Sequence, residues 1–91
     1  HADKAFVSCT SVDLDKGLTD TNEEEARIRR VMLDRAVRKI LIADTTKFGK
    51  VSFASICPLK DIDTVVSDSS LGGEWSVRFQ EMGIEHFYKN S

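Results

Sequence analysis

Apolar residues in this chain fall in short bursts separated by polar, oxygen-rich stretches. The first burst, within residues 4–9, reads as a buried strand, Lys4-Ala5-Phe6-Val7-Ser8-Cys9. Residues 10–20 are polar, contain Gly17 and carry many short oxygen-bearing side chains, the composition of a loop. Thr21-Asn22-Glu23-Glu24-Glu25 predicts a helix start. Either Thr21 with Glu24 or Asn22 with Glu25 completes a capping box, and the acids sit at the positive end of the helix dipole. Ile28, Val31, Met32 and Arg35-Ala36 recur at the spacing of one helical face, with Arg27, Arg30, Asp34 and Arg38 on the other. That periodicity predicts a helix to about Arg38.

Lys39-Ile40-Leu41-Ile42-Ala43 follows, a continuous aliphatic run that suits a central strand buried on both faces. Thr45-Thr46-Lys47-Phe48-Gly49-Lys50 reads as a turn, and residues 51–57 are too short a run to assign before Pro58 ends them. Residues 62–66 read as another strand, followed by a loop through Gly72-Gly73. Residues 74–82 read as a helix stopped by Gly83, with Trp75, Phe79 and Met82 on one side. Residues 84–88 close as a strand. Helices are thus expected at about 22–38 and 74–82, and strands near 4–9, 39–43, 62–66 and 84–88. Strands spaced by helices predict an α/β fold of three layers, with a mainly parallel sheet, flanking helices and right-handed crossovers.

With 91 residues, the chain has room for one small core, so residues 1–91 are read as a single domain. Hydrophobic residues make up 41% and charged residues 31%, which separates it from disordered sequences. A net charge of −2 gives no basic field for DNA or an anionic membrane. The longest apolar run, residues 40–43, spans no bilayer. Cys9 and Cys57 lie in apolar settings without metal-ligand spacing, the pattern of small buried thiols in a reducing cytoplasm. No metal site and no cofactor are expected, since no phosphate loop, dinucleotide fingerprint or nucleophile elbow occurs. His86 reads as structural or exposed, without a partner acid or serine at readable spacing.

Ligands of open α/β sheets bind beyond the carboxyl ends of the strands. Two segments qualify by composition. Residues 10–22 lead from a strand into a helix N-terminus and offer Asp13, Gly17 for close backbone approach and Thr19 for a hydroxyl contact. Asp44-Thr45-Thr46-Lys47 leaves the end of the most apolar strand, with Lys47 as a cation for a phosphate and Asp44 to orient it or cap the turn. Together these residues describe a sugar-phosphate site.

Asp3-Lys4-Ala5-Phe6-Val7, then Val12-Asp13, Lys16-Gly17-Leu18-Thr19, Ala43-Asp44-Thr45-Thr46-Lys47-Phe48-Gly49 and Asp61-Ile62-Asp63-Thr64-Val65-Val66-Ser67-Asp68 together carry a resemblance. In that order and spacing the chain resembles the C-terminal effector domain of DeoR/GlpR-type bacterial transcriptional repressors. The resemblance implies a fold related to ribose-5-phosphate isomerase and CoA transferases, and a non-enzymatic sensor of a phosphorylated sugar or related metabolite. It covers only the second half of such a domain, so operator DNA would be reached through an N-terminal winged helix-turn-helix that this chain lacks. A homo-oligomer without membrane contact is expected, because an open sheet edge invites pairing between chains. Two other classes compete. A sugar-phosphate isomerase would use Lys47, Asp13 and Asp44 for acid–base work, but the glycine-rich run of those enzymes is replaced here by Lys16-Gly17-Leu18-Thr19. A purely structural oligomerisation module would bind no sugar phosphate.

Overall fold

A computed structural model describes residues 2–89. In chain order the elements are β1 (Ala2–Val7), β2 (Ser11–Asp13), β3 (Gly17–Asp20), α1 (Glu23–Asp34), β4 (Ala36–Ile42), β5 (Ala54–Cys57), β6 (Thr64–Ser67), α2 (Gly73–Met82) and β7 (Glu85–Tyr88). Short 3-10 turns cover Thr45–Lys47 and Leu59–Asp61. β1, β4, β6 and β7 form one sheet in that order, with every pair parallel. Phe6 lies beside Ile40, Leu41 beside Val65, and Val65 beside His86. β2, β3 and β5 form a small antiparallel sheet.

Strands that follow one another across a parallel sheet, joined by right-handed crossovers, place every connection on the same face. Burial follows that rule. Ala5, Val7, Leu41, Ala43 and Val65 share one core with Ala26 and Leu33 of α1, Phe79 of α2, and Val12, Leu18 and Ile56 of the small sheet. The alternate positions of the parallel strands point the other way: Phe6, Ile42 and Phe87 are 57%, 47% and 56% exposed. The α/β class and the mainly parallel sheet therefore stand as expected. Among the described residues, both helices and the small sheet cover one face, and the opposite apolar face carries no layer.

Asn22 opens α1 in extended conformation, and its side-chain oxygen accepts the Glu25 N–H at 2.8 Å. The capping box is thus the Asn22–Glu25 one. The helix stops at Asp34, not near Arg38, and residues 36–38 join the sheet as the start of β4. Pairing with β1 decides this, since Ala36–Leu41 run in register with Ala2–Val7. Asp63 reinforces it: its carboxylate accepts the Lys39 N–H at 2.8 Å, and its own N–H donates to the Lys39 carbonyl at 2.9 Å. The apparent helical periodicity of residues 35–38 yields to these backbone bonds. The expected loop at 10–20 also proves to be a hairpin, and residues 54–57, left open by sequence, become its third strand.

Candidate functional site

The carboxyl end of β4 is built by two carboxylates. The Ala43 N–H donates to the Val66 carbonyl at 3.0 Å, which keeps β4 and β6 zipped to their ends. Asp44 then caps the 3-10 turn, accepting the Thr46 N–H at 2.9 Å and the Thr46 hydroxyl. From the exit of β6, Asp68 accepts the Thr45 N–H at 2.7 Å. These hydrogen bonds from Thr46 hold the Asp44 carboxyl below its ordinary range, so it stays ionised. Lys47 closes the turn through its N–H to the Asp44 carbonyl at 3.1 Å. Its half-buried side chain has no ion-pair partner among the described residues. Phe48 anchors the next step, packing edge-to-face on Trp75 of α2 at 5.3 Å. The Gly49 N–H donates to the Val12 carbonyl at 2.8 Å. Lys47 is therefore held at a fixed place over the carboxyl ends of the parallel strands.

The hairpin residues named from sequence have local partners. Asp13 accepts the N–H groups of Asp15 and Lys16 at 3.0 and 2.8 Å, closing the β2–β3 turn. Gly17 has φ +78°, and a Cβ there would stand 2.2 Å from the Cys57 carbonyl oxygen, so only glycine fits. Thr19 is buried, and its hydroxyl accepts the Ser52 N–H at 2.8 Å. Asp44 and Lys47 share one turn. Gly17 instead abuts Pro58 and Leu59, in the segment that leads into β6. The two groups are linked through Val12, whose carbonyl binds Gly49 on one strand while Asp13 turns the chain next to it.

A second polar cluster lies at the carboxyl end of β1 and was not foreseen. Thr10 donates to Asp20 Oδ1 at 2.6 Å, and Arg29 sits 3.2 Å from Asp20 Oδ2. Arg29 also donates from Nε to the Ser8 carbonyl at 2.6 Å and from Nη1 to Glu25 Oε2 at 2.7 Å. The Asp20 side chain is 7% exposed and that of Arg29 24%, and the pair ties β1, β3 and α1 together at the edge of the core. Arg29 reads from sequence as one of several arginines on a solvated helix; the burial of Asp20 becomes visible only once residues 17–20 are a strand. Beside the cluster, burial pushes the Cys9 thiol up to about 11, with the Asp20 charge adding to the effect. Burial likewise pushes Cys57 up to about 12. Both are protonated at neutral pH and poor nucleophiles.

His86, unpaired in the sequence reading, does have a serine: its Nε2 lies 2.7 Å from Ser67 Oγ. Ser67 already donates its single hydroxyl proton to the Ser69 carbonyl at 2.8 Å. His86 must then be the donor, a neutral ring protonated at Nε2, and burial keeps its pKa below the usual value. A histidine that donates to a serine cannot be the base that activates it. Among the described residues no group of metal-ligating side chains converges, and no helix is long and apolar enough to cross a membrane.

The sequence matches the family model described as the DeoR C-terminal sensor domain over residues 1–69. It is 32% identical over 82 residues to the HTH-type transcriptional regulator GlpR of Haloferax volcanii, covering 90% of this chain and 32% of that protein. It is 36% identical over 86 residues to the deoxyribose operon repressor of Escherichia coli, covering 94% and 34%. The HTH-type transcriptional regulator GolR of Listeria innocua is 32% identical over 84 residues, covering 92% and 33%. The chain spans about a third of the length of these curated relatives. The family-model match over residues 1–69, with relatives more than 30% identical over nine-tenths of the chain, places the chain in the DeoR C-terminal sensor domain family.

Proposed function

We propose that residues 1–91 form the C-terminal part of an effector-sensing domain that binds a phosphorylated sugar or related metabolite and carries out no catalysis. The observation that supports this reading most is the Asp44–Lys47 turn. Its backbone is fixed by Asp44 and Asp68, which leaves the Lys47 ammonium without an ion-pair partner among the described residues. Lys47 would contact the phosphate or a sugar oxygen, with Asp44 setting its turn. Asp13, Gly17 and Thr19 would line the same cleft from the neighbouring hairpin. An isomerase would need a carboxylate free to take a proton, whereas Asp13 and Asp44 are both engaged by N–H donors. In a longer regulator the effector would shift the protein between DNA-binding states by its differential affinity, with operator DNA held by another domain. Such a regulator works in the cytoplasm, as a homo-oligomer.

The test is a thermal-shift titration of the intact regulator that contains this chain, with ribose 5-phosphate and with unphosphorylated ribose, alongside a wider panel of phosphorylated sugars. A rise in melting temperature with a phosphorylated sugar, absent with the free sugar, is the expected result. Lys47→Ala should then weaken binding by about 1.5–3 kcal/mol, the worth of a charge-assisted hydrogen bond. An unchanged midpoint in Lys47→Ala removes the lysine from the site. No shift with any phosphorylated sugar favours a structural module instead, and turnover of ribose 5-phosphate would favour the enzyme.

A further inference from the structure

The exit of β6 carries a small hydrogen-bonded loop beside the Asp44–Lys47 turn. Ser67, buried at the end of the strand, donates its hydroxyl proton to the Ser69 carbonyl at 2.8 Å. That bond spans Asp68 and fixes the backbone from which the Asp68 carboxylate reaches across to accept the Thr45 N–H at 2.7 Å. Ser67 has a single proton to give. The bond to Ser69 therefore requires that the other neighbour of the hydroxyl, His86 Nε2 at 2.7 Å, be a donor. A ring carrying its only proton on Nδ1 would accept from Ser67 instead and release Ser69. The state of the His86 ring thus decides whether the loop around Asp68 is closed.

The same ring is connected to the far end of the turn through a row of aromatic contacts. His86 stands 5.2 Å from Phe79 of α2, close to edge-to-face at 79°. Phe79 lies 5.8 Å from Trp75, and Trp75 lies 5.3 Å from Phe48. Phe48 follows Lys47 directly, and its N–H closes the turn on the Thr45 carbonyl at 3.3 Å. Contacts of this geometry hold rings in place beyond what burial alone achieves. One side chain of β7 therefore reaches Thr45 through Ser67 and Asp68, and Phe48 through α2. Lys47 lies between those two points.

We propose that His86 is a positioning residue for the Lys47 turn, holding both of its ends so that the lysine is presented at a fixed place over the carboxyl ends of the strands. His86 acts through other residues and is not a ligand contact. Its Nε2–H fixes the Ser67 rotamer that faces Ser69, and each hydrogen bond in such a chain strengthens the next. Without that N–H the loop around Asp68 loosens, and the Thr45 N–H loses its acceptor. The link to sensing rests on the functional reading above, which assigns the effector to this turn. The hold on the turn does not depend on that reading and is measured without any effector.

The experiment is hydrogen–deuterium exchange on the intact regulator that contains this chain, read by overlapping peptic fragments. In His86→Leu the Thr45 amide should exchange about tenfold faster, the effect of losing one hydrogen bond that closes a local structure. The amides of Leu41 and Val65, both fully buried in the same sheet, should keep their parental rates. His86→Gln, which retains an N–H donor, should restore the slow exchange at Thr45. Ser67→Ala should reproduce the effect of His86→Leu, and the two together should add nothing further, because they interrupt one chain of contacts. Thr45 exchange that is unchanged in His86→Leu overturns the proposal. So does an acceleration shared equally by Leu41 and Val65, or a failure of His86→Gln to restore the rate. Should His86→Leu fail to fold, Ser67→Ala, which leaves the ring in place, carries the same decision. For a phosphorylated sugar that binds the parent, the dissociation constant should rise in His86→Leu and return in His86→Gln, and an unchanged constant beside faster Thr45 exchange also overturns the proposal. A regulator that binds none of these sugars counts against the functional reading, while the exchange rates still decide the role of His86.

Discussion

At the scale of single residues, the conspicuous positions in the sequence divide into those held by the fold and one that the fold leaves available. Gly17 belongs to the first kind. Its positive φ and the Cys57 carbonyl beside it mean that Gly17→Ala adds both backbone strain and a clash with a backbone atom. A loss of about 3 kcal/mol or more is expected, read as a lower urea midpoint with an unchanged slope. His86 gives a pH signature. Its pKa is lower in the folded state, so the unfolded chain binds the extra proton. The stability that neutral His86 supports is fully present above the ordinary value of 6.5 and is lost as pH falls below it toward the folded value. Urea midpoints measured at about pH 7.5 and about pH 5.5 should therefore separate more for the parent than for His86→Gln. Lys47, named from its place after the most apolar strand, has no ion-pair partner among the described residues and sits on a turn whose backbone Asp44 and Asp68 fix. Asp13, Gly17 and Thr19 were legible as special positions, but sequence does not reveal whether an oxygen faces a ligand or its own backbone. Here the Asp13 carboxylate accepts the N–H groups of Asp15 and Lys16, and the Thr19 hydroxyl accepts that of Ser52.

Among the elements, legibility followed how local the deciding interactions are. The start of α1 is written in consecutive residues, because a cap needs only its own next turn. Asn22→Ala should cost about 1 kcal/mol through loss of the bond to the Glu25 N–H, measurable by chemical denaturation. The end of α1 is not local. Residues 35–38 carry a helical pattern, yet a neighbouring strand more than thirty residues earlier takes their backbone groups, with Ala2 paired to Ala36 and Lys4 to Arg38. The hairpin at 11–20 escaped for a related reason. Its strands are short and become buried only because α1 and β5 close over them, so its sequence keeps the polar composition of a loop. The Asp20–Arg29 pair was hidden by the same step.

For the whole molecule, the alternation of apolar bursts and helix starts was enough to specify a parallel α/β sheet, and its strand order, β1-β4-β6-β7, is compatible with right-handed crossovers that all proceed in one direction. What the alternation cannot report is which face lies bare. Ile40 and Leu41 are adjacent in one aliphatic run, and the sheet turns them to opposite faces. That strand order has a further consequence, for synthesis. In this sheet spatial order and chain order coincide, so a polypeptide emerging from the ribosome always adds its newest strand to the edge completed just before. Among the described strands, none has to wait for a later one to arrive and slip between two neighbours already paired. At roughly 5–20 residues per second, each βαβ unit has seconds in which to close before the next strand is made, far longer than the microsecond closures it requires. These four strands are thereby suited to be laid down in the order in which they are made.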